Sequence, residues 1–237
     1  MSTDLVQNMG NTLPQEIREQ MAAAVVADLA RLGNTGGKDA IRIMQDKKFQ
    51  FPDDTQTEGP LELIIVDFVY RNEYYPGAYN RKEVVAPTCF AVSAEQIALT
   101  PSPKSPKVQV PEGETCSKCQ WDKYGSSPQG EGKACKNTVF MAVLQPDADA
   151  ETPLFVVKTS PTGIRYINQH VAKIGRQVNL PSWAIITKMY FEPNVSYPSL
   201  RFDIIGPNPI MELTMRRRDE ARARLMQEPD FSSAVTA

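Results

Sequence analysis

Histidine is almost missing from this chain: His170 is the only one in 237 residues. Imidazole is the group most often used for acid–base work near neutral pH, and the Asp and Glu residues here are scattered rather than clustered. With no nuclease-like or hydrolase-like constellation, the chain is expected not to be an enzyme. His170 itself, beside Val171 in a helical stretch and without a partner motif, is expected on a helix surface. Long apolar runs are also missing. None reaches the ~20 residues that cross a bilayer, and no secretory signal is visible, so a cell-interior protein without a membrane partner is expected. Charge of one sign is missing too: 26 Lys and Arg against 28 Asp and Glu leave a net charge of −2. That balance excludes a histone-like polycation, and any nucleic-acid contact must use a local basic groove.

Cysteine is scarce, yet its placement is informative. Cys116 and Cys119 form a Cys-Ser-Lys-Cys pair, Cys135 closes Gly132-Lys133-Ala134-Cys135, and Cys89 lies upstream in Pro87-Thr88-Cys89-Phe90. Four soft ligands that include one C-x-x-C pair are the composition of a closed tetrahedral zinc site. Such a zinc is structural, because four thiolates leave no open position for water. An iron–sulfur cluster is the alternative metal centre, and free or disulfide-linked thiols stay open as well. A disulfide needs an oxidising compartment. A thioredoxin-like pair needs C-x-x-C at the start of a helix, whereas Gly, Ser and Pro follow here.

Read in order, the chain opens with a helical pattern. Pro14 starts it, Ile17, Met21, Val25, Leu29 and Leu32 recur at helical spacing, and Gly33-Asn34 ends it, which predicts an amphipathic helix packed on the core. Short strands are predicted at 40–44 and 47–51, then a loop at 53–59. The strongest strand is 61–70, with Leu61, Leu63, Ile65 and Val69 on one face and Ile64, Val66, Phe68 and Tyr70 on the other, as in a central strand. A hairpin over 89–92 and 96–99 and a Pro-rich spacer at 100–114 lead to the cysteine pair. Strands at 139–144 and 154–158 follow, then a helix capped by Ser160 and started by Pro161, with Ile164, Ile167, Val171 and Ile174 as its apolar stripe. Strands at 183–191 and 200–205 precede a last helix from Asn208 and Pro209. That helix carries Arg216, Arg217, Arg218, Arg222 and Arg224 among Glu and Asp, and a solvated face with ion pairs at i±4 is expected.

With 19 prolines in the connectors, this pattern predicts a mainly β fold: an OB-like Greek-key barrel at 38–207, with a cysteine metal loop inserted at about 100–137. A helical extension at 1–37 and an Arg-rich helix and tail at 208–237 flank it. An α+β open sheet is the alternative.

Aromatic rings and cations interleave from Tyr70 onward, the pattern that suits single-stranded nucleic acid, with bases stacked on rings and phosphates met by Lys and Arg. The stacking candidates are Tyr70, Tyr74, Tyr75, Tyr79 and Phe90, with Trp121 and Tyr124 inside the cysteine loop. The phosphate candidates are Arg71, Arg81, Lys82, Lys118, Lys123, Lys133 and Lys136. The alternative is that the tyrosines pack their own loop and keep their hydroxyls wet.

Several of these stretches carry a resemblance. Lys48-Phe49 with Phe51-Pro52, Ile64-Ile65-Val66-Asp67-Phe68, Asn72-Glu73-Tyr74-Tyr75, Pro87-Thr88-Cys89-Phe90, Cys116-Ser117-Lys118-Cys119, Tyr124-Gly125-Ser126 and Gly130-Glu131-Gly132-Lys133-Ala134-Cys135-Lys136 resemble a group of tailed-phage single-stranded-DNA-binding and replication-accessory proteins. The resemblance spans roughly 48–144. It implies an OB-like core with a cysteine-bound metal and sequence-independent binding of single-stranded DNA in phage replication or recombination. It also implies the cytoplasm of an infected bacterial host, with phage or host replication proteins as partners and a homo-oligomeric state left open. One departure is the tail, where Glu228, Pro229, Asp230 and Phe231 are a faint version of an acidic, aromatic-tipped end. A phage-encoded interaction module or inhibitor, docking on a host complex through its cysteine loop, is the alternative function.

Overall fold

The computed structural model describes residues 39–77, 86–128 and 131–228, together with Gln15. The expected helix between Pro14 and Leu32, the loop residues Tyr79, Arg81 and Lys82, and the tail beyond Pro229 lie outside the described residues. In chain order the regular elements are β1 (Ala40–Ile43), β2 (Phe49–Gln50), β3 (Gln56–Thr57), β4 (Leu61–Tyr74), β5 (Cys89–Ser93), β6 (Cys135–Leu144), β7 (Phe155–Lys158), α1 (Ile164–Lys173), β8 (Ile185–Phe191), β9 (Leu200–Pro207) and α2 (Met211–Leu225).

The fold is β-rich. Its strands join into one mixed sheet in the order β3-β2-β1-β7-β6-β4-β8-β9, with β5 added on β4, and the sheet curls into an open half-barrel. Among the described residues, only the β1–β7 pair is parallel. β4 organises the rest, as its two apolar faces predict. One edge pairs with β6 from Ile64 to Tyr74, while the other is shared by β8 at Leu61–Ile64 and β5 at Tyr70–Tyr74.

A register shift between Ile65 and Asp67 marks a β-bulge in β4. A bulge turns two consecutive residues to one side, and here Val66 and Asp67 both meet α2. Val66 packs with Ala221 and Leu225, and Asp67 receives the Arg222 guanidinium. The opposite face of β4 presents Leu63 and Ile65 to the main core, with Phe49, Met141, Val143, Val157, Met189, Leu200, Phe202 and Ile167 of α1.

Several expectations are revised. β4 continues four residues beyond Tyr70 because it is paired on both edges as far as Tyr74. β6 begins at Cys135 rather than Val139 because its first four residues pair with Tyr74 to Arg71 of β4. The loop at 53–59 contains β3, held against β2 by a turn in which Asp53 accepts from the Thr55 amide at 3.0 Å. The stretch 96–99 is no strand. Gln96–Ala98 is a 3₁₀ turn with Ile97 85% exposed, and the outer edge of β5 is met instead by the spacer, where the Ser102 amide donates to the Phe90 carbonyl at 2.8 Å. Ser160 does not cap α1; its hydroxyl pairs with that of Thr162, and a 3₁₀ turn over Pro161–Gly163 leads into the helix.

His170 is the largest correction. It is 3% exposed, on the core side of α1, with Nε2 2.9 Å from Thr187 Oγ1 and its ring 5.8 Å from that of Phe202. Burial lowers its pKa to about 4, with Lys173 adding to the shift and Asp203 opposing it. The imidazole is therefore a neutral core group. The arginines of α2 also depart from simple i±4 pairing, since Arg222 and Arg224 reach Asp67 and Asp39 on the sheet side.

Candidate metal centre and nucleic-acid face

The end of β4 builds the site. Tyr74 lies opposite Cys89 on one side and Cys135 on the other. Residues in register on neighbouring strands point to the same face, so both thiols flank the Tyr74 ring. Cys116 and Cys119 arrive from the following loop. The Cys116 amide is anchored to the Leu99 carbonyl at 2.8 Å, and the Cys119 amide donates to the Cys116 carbonyl at 3.0 Å, closing the knuckle.

All four cysteines are free and buried. They line a single cavity of about 10 Å³ with Asn72, Tyr74 and Gln109, room on the order of one atom. Burial pushes the Cys116 thiol up to about 12, and it raises Cys89 and Cys135 as well. The neighbouring thiols and, for Cys116 and Cys135, Asp122 add to these shifts. In chemical terms, anionic sulfurs gathered here repel one another unless a cation stands between them, and a bound cation would favour their deprotonation. Soft, buried thiols are the donor type that zinc takes. The sulfurs do not converge as closely as ligands on one ion do: among the described residues, no three His, Cys, Asp or Glu side chains form a group that could hold a metal ion.

Over this cavity Tyr74 stacks on Trp121, with centroids 5.1 Å apart and planes 16° from parallel. Trp121 is held by its own loop: Nε1 donates to Gln109 Oε1 at 3.0 Å, and its carbonyl accepts from Ser126 Oγ at 2.9 Å. In the same loop Lys118 and Lys123 are exposed and form no ion pair among the described residues, whereas Lys136, opposite Glu73 in the ladder, is exposed on the other face of β6 from Cys135. Tyr124 is 74% exposed, with its hydroxyl 3.4 Å from Glu131. Tyr75 is half-buried and bonded to Glu73; burial raises its pKa first, with Glu73 adding to the shift.

Other candidates belong to the fold rather than to this surface. Phe90 is 2% exposed. Tyr70 packs against two core clusters and donates to Asn168 Oδ1 at 2.8 Å. The Arg71 guanidinium lies 4.3 Å over Phe140 and donates to the carbonyls of Leu225 and Gln227, so it caps α2. Lys133 is paired with Asp122 at 2.9 Å. Sequence reasoning missed Gln109 and Asn72. Asn72 had a signal, since it alternates with Tyr70 and Tyr74 and must share their face. Gln109 had none, because only the folded spacer brings it to Trp121.

No family model matches the chain, and neither a curated protein nor a solved structure matches it.

Proposed function

We propose that this protein binds single-stranded DNA without sequence preference, as a non-enzymatic accessory of phage replication or recombination in the cytoplasm of the infected bacterial host. The observation that carries the reading is the Tyr74–Trp121 stack on the cysteine-bearing module, whose loop also carries the exposed Lys118 and Lys123. The half-barrel acts as an OB-like core that supports this module. A zinc held by Cys89, Cys116, Cys119 and Cys135 would cross-link β5, the knuckle and β6, with an iron–sulfur cluster as the alternative; its role is structural. Bases stack on Tyr124 and on the outer face of the Tyr74–Trp121 pair at about 1–3 kcal/mol per base, and the lysines meet phosphates.

The test is fluorescence anisotropy of labelled poly-dT at two salt concentrations, repeated with duplex. Tight, salt-sensitive binding to the single strand alone is expected, and Trp121→Ala should weaken it about tenfold or more. No binding at low salt would overturn the reading. Metal analysis of the purified protein is expected to give one zinc per chain, with loss of the metal on Cys116→Ser; metal-free protein with an unchanged melting temperature in chelator would remove the zinc. A second reading, contact with a phage or host replication protein, is favoured by the exposed Ile97 and Val108 near the module.

A further inference from the structure

Although the chain is slightly acidic as a whole, residues 152–191 contain no Asp or Glu. They hold Lys158, Arg165, Lys173, Arg176 and Lys188. This stretch includes β7, α1 and β8, and a five-residue π-helical turn at Ile174–Val178 continues α1. Lys158 is occupied by Glu73 at 3.3 Å, and Lys188 lies opposite Asp203 across the β8–β9 ladder with its ammonium near the Tyr190 ring. Arg165, Lys173 and Arg176 are different. All three are exposed, and none has a carboxylate partner among the described residues.

Helical geometry gathers them. Ile167, His170 and Ile174 are the buried side of α1 and its continuation, so Arg165, Gln169, Lys173 and Arg176 share the solvent side. The distance along the axis from Arg165 to Arg176 is about 16 Å. Tyr166 supports the near end, with the Arg165 guanidinium 4.6 Å and the Arg201 guanidinium 3.5 Å from its ring centre. α1 is itself tied to β4 and to the residues just beyond β5. Asn168 of α1 accepts from Tyr70 of β4 at 2.8 Å and donates to Gln96, just beyond β5, at 3.0 Å.

We infer that the exposed side of α1 is a second phosphate-binding strip, along which a single strand leaving the cysteine module continues. The strip rests on the single-strand reading above and extends its footprint. Cations with no carboxylate partner are free to replace condensed counterions on the strand, whereas ion-paired ones must first give up a carboxylate. The module's rings hold a short oligonucleotide, and only a longer one reaches α1.

The test compares the full chain with the variant R165Q/K173Q/R176Q, using short and long poly-dT over a salt series. The short oligonucleotide should bind both proteins equally. Binding of the long one should weaken in the variant, with the slope of log K against log salt shallower by about 2, three contacts at about 0.7 each. R165K/R176K should keep the wild-type slope, which a purely structural role would not require. Equal effects at both lengths, or no effect on the long oligonucleotide, overturn the strip while leaving single-strand binding intact. If wild-type protein binds neither oligonucleotide, both readings fall.

Discussion

The two helices make opposite use of their cations. α2 carries more cations in sequence, five arginines, yet four of them serve the fold. Arg217 is paired with Glu220 and donates to the Thr152 carbonyl at 3.0 Å, Arg222 grips Asp67, Arg224 bridges Asp39 and the Leu154 carbonyl, and Arg218 lies 5.4 Å over Trp183. α1 carries fewer cations, and those on its outer side have no anionic partner. Density of charge along a sequence therefore does not say which cations stay without an anionic partner. That is decided by which carboxylates and carbonyls lie within reach once the chain is folded.

Four measurements break or sharpen this contrast. The largest effect is expected at the β4 bulge. Arg222→Ala strips the partner from Asp67, which is 7% exposed, and should cost about 2–3 kcal/mol in urea unfolding, less than the roughly 3–5 kcal/mol for orphaning a fully buried charge because Arg222 is itself partly exposed. The double variant with Asp67→Asn should recover part of that loss.

Next comes the inner side of α1. The folded-state pKa of His170 is depressed from 6.5 to about 4. Between those values the unfolded chain binds a proton that the folded chain refuses. Stability is complete above about pH 6.5, falls as the pH drops, and stops falling on this account below about pH 4. From pH about 7 to about 4.5, urea unfolding should lose about 2 kcal/mol that a folded His170→Gln variant does not lose. Equal pH dependence in the two proteins would show that His170 is charged or exposed in the fold.

A smaller change is expected for Arg224→Gln. It removes one ion pair and one carbonyl contact at a partly exposed site, and about 1 kcal/mol in the unfolding midpoint is expected. Smallest of all, Arg165→Gln, Lys173→Gln and Arg176→Gln should each change stability by less than about 0.5 kcal/mol. A thermal shift as large as that of Arg224→Gln would show that the α1 cations are structural too, and the contrast between the helices would disappear.

How far the sequence could be read depended on the range of the interactions involved. β4 announced itself through two apolar faces, and α1 through the stripe of Ile164, Ile167, Val171 and Ile174, because both patterns are written within a dozen residues. The continuation of β4 to Tyr74 was hidden, since Arg71 to Tyr74 look like a polar loop until β5 and β6 supply ladders on both edges. The cysteine group was legible from composition, while its neighbours were legible only in part. Tyr74 and Trp121 were visible as aromatics, but their mutual stacking required β4 and the knuckle loop to meet.

Taken alone, the sequence determined the β-rich class, the positions of α1 and α2, the set of four cysteines and the overall acid–base balance, all properties of local pattern or of composition. The tertiary structure decided that His170 is a core group, that Phe90 and Arg71 serve the fold, that Cys89 and Cys135 flank Tyr74, and that the arginines of α2 are occupied while the outer cations of α1 are not. Each of these depends on which distant residue lies within a few ångströms. Burial, hydrogen bonding and ion pairing are set by that distance and not by the order of residues along the chain.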